Sequence, residues 1–435
     1  VTAVSRGIDR IEVTFDEPNL VANAGLLLVA TLTVRLGLER LINTTVHLSG
    51  RVGGALPGRK VLTLVHALTA GGSHIDHAEI LRSGATQAVL AHRVMAPSTL
   101  GTFLRAFTFG HVRQLDRVLG EALRRAWALG AGPGSGQLVM DLDSTICAVC
   151  GKDKHGAGYG YTKELGYHPL IATRAQTGEV LHVRMRKGAA ATQRGAKRFV
   201  EELVARVRRA GATGELFMRF DSGFWSNTTL ATLERLEVGY TMGVKMIKAV
   251  VSAVEGIEES AWTPIDYSVD GEAEVAECDY KGRRLIVRRT RLVGRQATLW
   301  PQWRHFAFVT DLDGKTADVD AFHRAHATVE LAIRDLKEGA GLEHVPSGNF
   351  FANSAWLLCA ALAHDLIRWT AMLGAITPDD KLTVARTVRT RFLSIPGRLV
   401  SRSGRPVLRT PLKWPWADAF ERALDLLRGL PPVPV

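Results

Sequence analysis

The sequence predicts a mixed α/β protein with a helical N-terminal region, a sheet-forming centre and a basic C-terminal segment. Three observations carry that prediction. Apolar residues recur at helical spacing through residues 1–130, short apolar runs alternate with helical patterns after a glycine-rich break at 131–136, and residues 381–413 hold nine basic side chains and no acidic one. The chain has 435 residues, 46% hydrophobic and 23% charged, a globular balance that excludes a wholly disordered or fibrous protein. Its net charge of +12 favours a polyanionic partner, nucleic acid before membrane. Four cysteines are too few for a disulfide framework and point to a reducing compartment. The apolar runs at 26–34 and 356–363 are shorter than a membrane span. The first 20 residues mix Arg, Asp and Glu without a hydrophobic stretch, so no secretory leader is expected there. A cytoplasmic protein with no membrane partner is the expectation.

In the first 130 residues, Leu26, Val29, Leu32 and Leu36 mark one helix, and Leu62, Val65 and Leu68 another. A compact stretch at 75–81, a break at Ser83-Gly84 and a stretch at 86–92 follow. Pro97-Ser98 then opens a helix with Ser98 as its expected N-cap. Three short helices around a glycine turn are compatible with a helix-turn-helix DNA module or with a plain helical scaffold. Beyond the break, strands are expected at 137–149, 168–173 and 180–185, a helix at 193–210, a strand at 215–220, a helix at 226–236 and a strand at 239–246. Three opening strands followed by alternating helices and strands resemble the ribonuclease H-like fold. Residues 250–310 look β-rich, with runs at 283–291 and 305–310, and a long helical region is expected over 319–373. Arg402-Ser403-Gly404-Arg405 has turn chemistry inside the basic run, which suggests a hairpin. The expected organisation is therefore a helical DNA-binding region (1–130), a core in two parts (137–249 and 311–373) split by a β-rich insertion (250–310), and a basic segment (374–435).

Two aspartates end apolar strands: Asp143 in Asp141-Leu142-Asp143-Ser144-Thr145, and Asp221 in Arg219-Phe220-Asp221-Ser222-Gly223. Carboxylates at neighbouring strand ends can share a divalent cation, because hard Mg²⁺ prefers oxygen ligands. A third carboxylate, Glu330, lies in a segment where His323, His326, Glu330, Arg334 and Lys337 fall on one helical stripe. Val329, Ile333 and Leu336 form the apolar stripe that would seat that helix. An acid flanked by cationic groups suits a metal beside phosphate.

These three motifs resemble those of bacterial insertion-sequence DDE transposases, the group with a β-rich insertion before the catalytic glutamate. That group carries Tyr, Arg, Glu and Lys around the glutamate, and His323, His326, Glu330 and Lys337 stand at the same spacing here. The resemblance extends through Pro346-Ser347-Gly348-Asn349-Phe350 and Ala352-Asn353-Ser354-Ala355-Trp356, covering roughly 137–370 and more loosely the whole chain. It implies an α/β ribonuclease H-like catalytic core with Asp143, Asp221 and Glu330 as catalytic and metal-binding residues. It implies two Mg²⁺ ions, replaceable by Mn²⁺, and binding of terminal inverted repeats and target DNA as a homodimer, with the protein on the bacterial nucleoid. DNA contacts are expected from His323, Arg324, His326, Arg334 and Lys337 near the site. Further contacts are expected from Arg386, Arg389, Arg398, Arg402, Arg405 and Arg409 in the basic segment.

Two other readings of the residues exist. Asp141 and Asp143 also satisfy the pattern of haloacid-dehalogenase-like phosphatases, with Asp141 as nucleophile, although the only adjacent downstream acidic pair is Asp379-Asp380 after Pro378. A DNA-binding protein with a decayed transposase site is the second. For the transposase reading, Asp141 is a supporting or alternative ligand. Cys147 and Cys150, with His155 and His168, could supply a zinc set, or the cysteines could be small buried hydrophobes. Gly156-Ala157-Gly158-Tyr159-Gly160 lacks the lysine of a phosphate loop and reads as a turn.

Overall fold

The computed structural model describes residues 8–160, 162–267, 271–292, 303–377 and 383–433. Asp379, Asp380 and Lys381 lie outside the described residues. The N-terminal third contributes one short strand, β1 (Leu20–Val21), and helices α1 (Leu26–Arg35), α2 (Leu38–Thr45), α3 (Pro57–Thr69), α4 (Ala78–Arg82), α5 (Pro97–Arg105) and α6 (Phe109–Ala126). The expected helix after Pro97 forms, but Ala96 is its N-cap and Ser98 sits inside it. Proline carries no amide N–H and its fixed φ suits the first helical position, so Pro97 itself marks the helix start. The 75–92 stretch contains 3₁₀ turns at Ile75–His77 and Thr86–Val89 around α4. Gly84 has φ +51° and lies against β1, where a Cβ would come within 2.3 Å of the Leu20 carbonyl oxygen; only glycine fits that approach.

The centre runs β2 (Leu138–Ser144), β3 (Cys147–Ala148), β4 (Gly158–Tyr159), β5 (Leu165–Tyr167), β6 (Leu170–Arg174), β7 (Val180–Arg184), α7 (Ala196–Ala210), β8 (Leu216–Phe220), α8 (Asn227–Arg235) and β9 (Gly239–Val244). Helix α7 buries Phe199, Val200, Leu203 and Val207 along one face and stops at Gly211, φ +113°. Helix α8 starts where the Ser226 side chain accepts the Thr229 amide. Next come α9 (Lys248–Glu255), β10 (Thr263–Pro264), β11 (Gly271–Asp279), β12 (Arg284–Leu292) and β13 (Arg304–Thr310).

One nine-stranded sheet holds most of these strands in the order β10-β11-β12-β13-β9-β8-β2-β6-β7. Strands β2, β8 and β9 are parallel, whereas β6 and β7 turn back antiparallel on one side. The strands expected as a β-rich insertion continue the same sheet, because β13 pairs antiparallel with β9 from Ala307–Val244 to Thr310–Thr241. A small second sheet, β3-β5-β4, sits beside it.

The helical region expected over 319–373 consists of three helices. Helix α10 (Thr316–Arg324) passes through a 3₁₀ turn (Ala325–Ala327) into α11 (Thr328–Ala340), and α12 (Phe350–Leu373) follows a loop. Arg219 Nη1 donates to the Phe322 carbonyl at 2.8 Å, and a side chain inserted into a helical ladder is a recognised cause of such breaks. Helix α12 is long and apolar enough to cross a membrane by length and composition, yet 89% of its most apolar window is buried inside the protein. It is the central core helix. Asp365 on it accepts the Val180 amide of β7 at 2.7 Å, and Arg368 donates to Asp335 of α11 at 2.8 Å. One hydrophobic cluster runs from Leu28 to Leu427, joining the N-terminal helices to the sheet.

The C-terminal part holds α13 (Ala385–Val388), β14 (Gly397–Arg402), β15 (Arg405–Arg409) and α14 (Ala417–Gly429). The expected basic hairpin is present: Ser403 and Gly404 both have positive φ, as a two-residue hairpin turn requires. Strand β1 pairs with β14 to complete a third sheet.

Candidate active site

Strand register sets the two aspartates side by side. Asp141 pairs with Arg219 and Leu142 with Phe220 across the parallel β2–β8 ladder, so Asp143 and Asp221 are the next pair at the adjoining carboxyl ends. Alternation along each strand puts Asp141 with Asp143, and Arg219 with Asp221, on one face. Val329, Ile333 and Leu336 are buried as the apolar stripe expected to seat α11. Glu330 is exposed on that helix, and it borders two openings. One, of ≈ 990 Å³, is also lined by Asp221, Lys245, Arg288, His323 and His326. The other, of ≈ 330 Å³, is also lined by Asp143, Arg334, Lys337 and Glu343.

The acids repel one another. Burial pushes the Asp143 carboxyl up to about 6, and the nearby Asp221 and Glu330 charges add to the rise. The Ser144 amide, 2.6 Å from Oδ1, and His326 hold it down in part. Asp221 is exposed as a residue, yet partial burial of its carboxyl raises its pKa too, against His326, the Gly223 and Phe224 amides and Lys245. A hard divalent cation would relieve this repulsion, and an all-carboxylate donor set is the kind it takes. The three side chains do not form a finished cage: among the described residues no three His, Cys, Asp or Glu side chains are grouped closely enough to hold an ion.

Asp141 is neither a free ligand nor an accessible nucleophile. It is 0% exposed, and its carboxylate accepts Arg219 Nε at 2.7 Å, Arg219 Nη2 at 2.8 Å and His326 Nδ1 at 2.9 Å. A phosphatase nucleophile has to meet its substrate, so the burial closes that alternative. The zinc reading fails on partners as well. The His168 ring is hydrogen-bonded to Ser144 Oγ and the Ala190 carbonyl, both at 2.8 Å, and Cys147 is buried with its thiol pushed up to about 12 by desolvation.

The expected DNA-contacting residues separate into groups. His323 stacks on Phe308 with ring centroids 4.1 Å apart and bonds Thr241 Oγ1 at 2.8 Å. Burial, then the neighbouring His326, Arg288 and Arg219, push its pKa down to about 3, so it faces the larger opening as a neutral ring. Arg324, also there, pairs with Asp320 at 2.8 Å. Lys337 donates to the Ile146 carbonyl at 2.8 Å, and Arg334 is exposed. Arg386 is exposed on α13. Arg389 departs from expectation: its guanidinium bonds the Thr69 carbonyl at 3.0 Å and the Gly339 carbonyl at 2.5 Å, bracing α3 against α11 instead of facing solvent. On the hairpin, Arg398 faces Arg409 and Arg402 faces Arg405 across the ladder. Only Arg398, bound to Glu17 at 2.9 Å, has an acidic partner among the described residues. Like charges directly opposite destabilise a hairpin, which suits a surface that meets a polyanion.

Two residues of the site escape motif reading. Arg219 alternates with Asp221 as Asp141 does with Asp143, but only the β2–β8 register turns that shared spacing into an acid–arginine pair. Gly243 gave no such signal. On β9 a Cβ there would lie 2.7 Å from the Ser222 amide nitrogen and 3.1 Å from the Asp221 carbonyl carbon, so its bareness permits the close approach of the Asp221 turn.

Among solved structures the chain is similar to piggyBac transposase in a synaptic complex with hairpin DNA, determined by cryo-electron microscopy. The likeness is at 12% identity and a TM-score of 0.45, covering 86% of this chain and 79% of that one. No curated protein matches. The model of the family described as transposase DDE domain group 1 matches residues 5–432. Across nearly its whole length, then, the chain is a member of the group 1 DDE transposase family.

Proposed function

We propose that the chain is a Mg²⁺-dependent DNA transposase with a ribonuclease H-like catalytic core. It binds the terminal inverted repeats of its element, cleaves DNA at the ends and joins them to target DNA, as a homodimer in the DNA complex in the bacterial cytoplasm. The observation that carries this reading is the register of β2 and β8, which aligns Asp143 and Asp221 at adjoining strand ends facing the helix of Glu330. The β7-β6-β2-β8-β9 order, antiparallel then parallel, supports the core fold.

Asp143, Asp221 and Glu330 would hold two divalent ions, which supply activation of an attacking water or 3′-OH and stabilise the leaving oxygen of an in-line displacement. The chain's own residues do the rest. Arg334 and Lys337 offer phosphate contacts at the smaller opening, as Arg324 and Lys245 do at the larger one. His323, neutral, offers stacking and hydrogen bonding, not charge. The exposed Arg402, Arg405 and Arg409 grip the backbone away from the chemistry. The competing reading is a DNA-binding protein whose transposase site has decayed. One experiment separates them. Mg²⁺-dependent cleavage of the element's own ends by the natural protein, lost in Asp221→Ala with end binding retained, supports the transposase; end binding without cleavage by either protein supports decay.

A further inference from the structure

We propose that Asp141 and Arg219 are positioning residues that lock the His326 imidazole and the turn carrying it, and thereby fix where Glu330 stands. This inference rests on the cleft being the reaction site.

The array is built from both sides of the sheet–helix junction. Asp141 on β2 and Arg219 on β8 are directly opposed in the parallel ladder and almost wholly buried, at 0% and 3% exposure. Their two parallel bonds, at 2.7 and 2.8 Å, are the bidentate arrangement that fixes both groups. Each then reaches the helical segment. Arg219 Nη1 holds the Phe322 carbonyl at 2.8 Å, with its guanidinium 5.1 Å from the Phe322 ring centroid. Asp141 Oδ1 accepts His326 Nδ1 at 2.9 Å. The two contacts clamp the chain on either side of His323 at the start of the 3₁₀ turn Ala325–Ala327, one helical turn before Glu330.

The chemistry of the bond dictates the tautomer. A carboxylate only accepts, so His326 Nδ1 carries the proton and Nε2 is the atom left to the cleft that His326 lines with Asp221 and Glu330. A buried carboxylate orienting an imidazole in this manner is a recognised way to set ring geometry and tautomer. Asp141 thus acts through His326 and through the turn. It touches neither substrate nor ion.

The experiment follows the His326 ring directly. ¹⁵N-histidine correlation spectra of the full chain, with the resonance assigned by its loss in His326→Gln, should show Nδ1 protonated in the natural protein. In Asp141→Asn an amide N–H can face the ring, and the tautomer should shift toward Nε2–H. Cleavage of element ends should drop by about 10²–10³-fold while end binding stays within a few-fold. Because Asp141→Asn leaves Arg219 buried without its counter-charge, the variant could fail to fold. The pair Asp141→Asn/Arg219→Met removes both charges and is read the same way. An unchanged tautomer, or cleavage within about threefold of the natural protein, in either folded variant overturns the proposal. Asp143→Asn is the control that separates the positioning role of Asp141 from the assignment of the cleft. If it abolishes cleavage while the Asp141 variants do not, the positioning role alone falls; if cleavage survives in Asp143→Asn, the assignment of the cleft falls.

Discussion

The carboxyl of Asp143 should destabilise the fold it serves. Its pKa stands at about 6 in the folded chain against an ordinary 3.8, chiefly through burial and further through Asp221 and Glu330. An acid whose folded pKa is raised binds more protons folded than unfolded, so stability falls as the group ionises. Below about pH 4 the group costs nothing; between about pH 4 and 6 the penalty grows; above about pH 6 it is complete. At about 1.36 kcal/mol per pKa unit the shift corresponds to about 3 kcal/mol, and partial solvent access reduces this to about 1–3 kcal/mol. Asp143→Asn removes the charge at nearly constant shape. Urea unfolding without divalent ions should therefore find the variant more stable by about 1–3 kcal/mol near pH 7.5, with the advantage vanishing toward pH 4. Added Mg²⁺ should narrow or reverse that difference, because an ion bound only by the folded natural chain stabilises it by about 2.7 kcal/mol at a hundred times its Kd. A variant less stable at about pH 7.5 without metal, or an advantage independent of pH, would show that the Asp143 charge does not cost the fold.

Further expectations concern DNA grip and backbone placement. Replacing Arg402, Arg405 and Arg409 by alanine should weaken specific and random DNA alike and flatten the log–log salt slope by up to about 2.7, at about 0.9 for each phosphate no longer neutralised; an unchanged slope would mark the hairpin as a solvated face. Arg389→Ala should leave that slope untouched and instead lower unfolding stability by about 2–4 kcal/mol, because it removes charged hydrogen bonds to the Thr69 and Gly339 carbonyls. Gly243→Ala should keep the fold and end binding but reduce cleavage by about 10²-fold, as a displacement of about 1 Å at Asp221 would; full activity would mean that the Asp221 turn accommodates a methyl group freely.

Much of this architecture is legible in the sequence because it is written in local patterns. Strand β8 and helices α7 and α8 are bounded by visible signals: Asp221 closing an apolar run, Gly211 ending α7, Ser226 capping α8. The hairpin at Ser403-Gly404 is likewise a two-residue turn signal. What depends on tertiary partners is not legible. The break at Ala325–Ala327 contains neither proline nor glycine and coincides with the bond from Arg219, 103 residues away, to the Phe322 carbonyl. Arg389 looks like its neighbours in a basic run, and only the carbonyls of Thr69 and Gly339 turn it inward. The same holds for Asp141, whose resemblance to a second ligand dissolves once Arg219 and His326 occupy its oxygens. That β13 joins β9, making the β-rich stretch part of the central sheet, is a pairing between strands far apart in sequence, and residue composition does not encode it.

The proposed function makes Asp221 a direct ligand of the ion at the cleavage site. A change of ligand hardness tests it most directly, since a thiolate disfavours Mg²⁺ and is better tolerated by softer metals such as Mn²⁺. Asp221→Cys should bind element ends, fail to cleave them in Mg²⁺ and regain cleavage in Mn²⁺, whereas Asp221→Ala should remain inactive in both. Cleavage at the natural rate in Mg²⁺ by either variant, or an equal response of the two to Mn²⁺, would rule out Asp221 as the ligand.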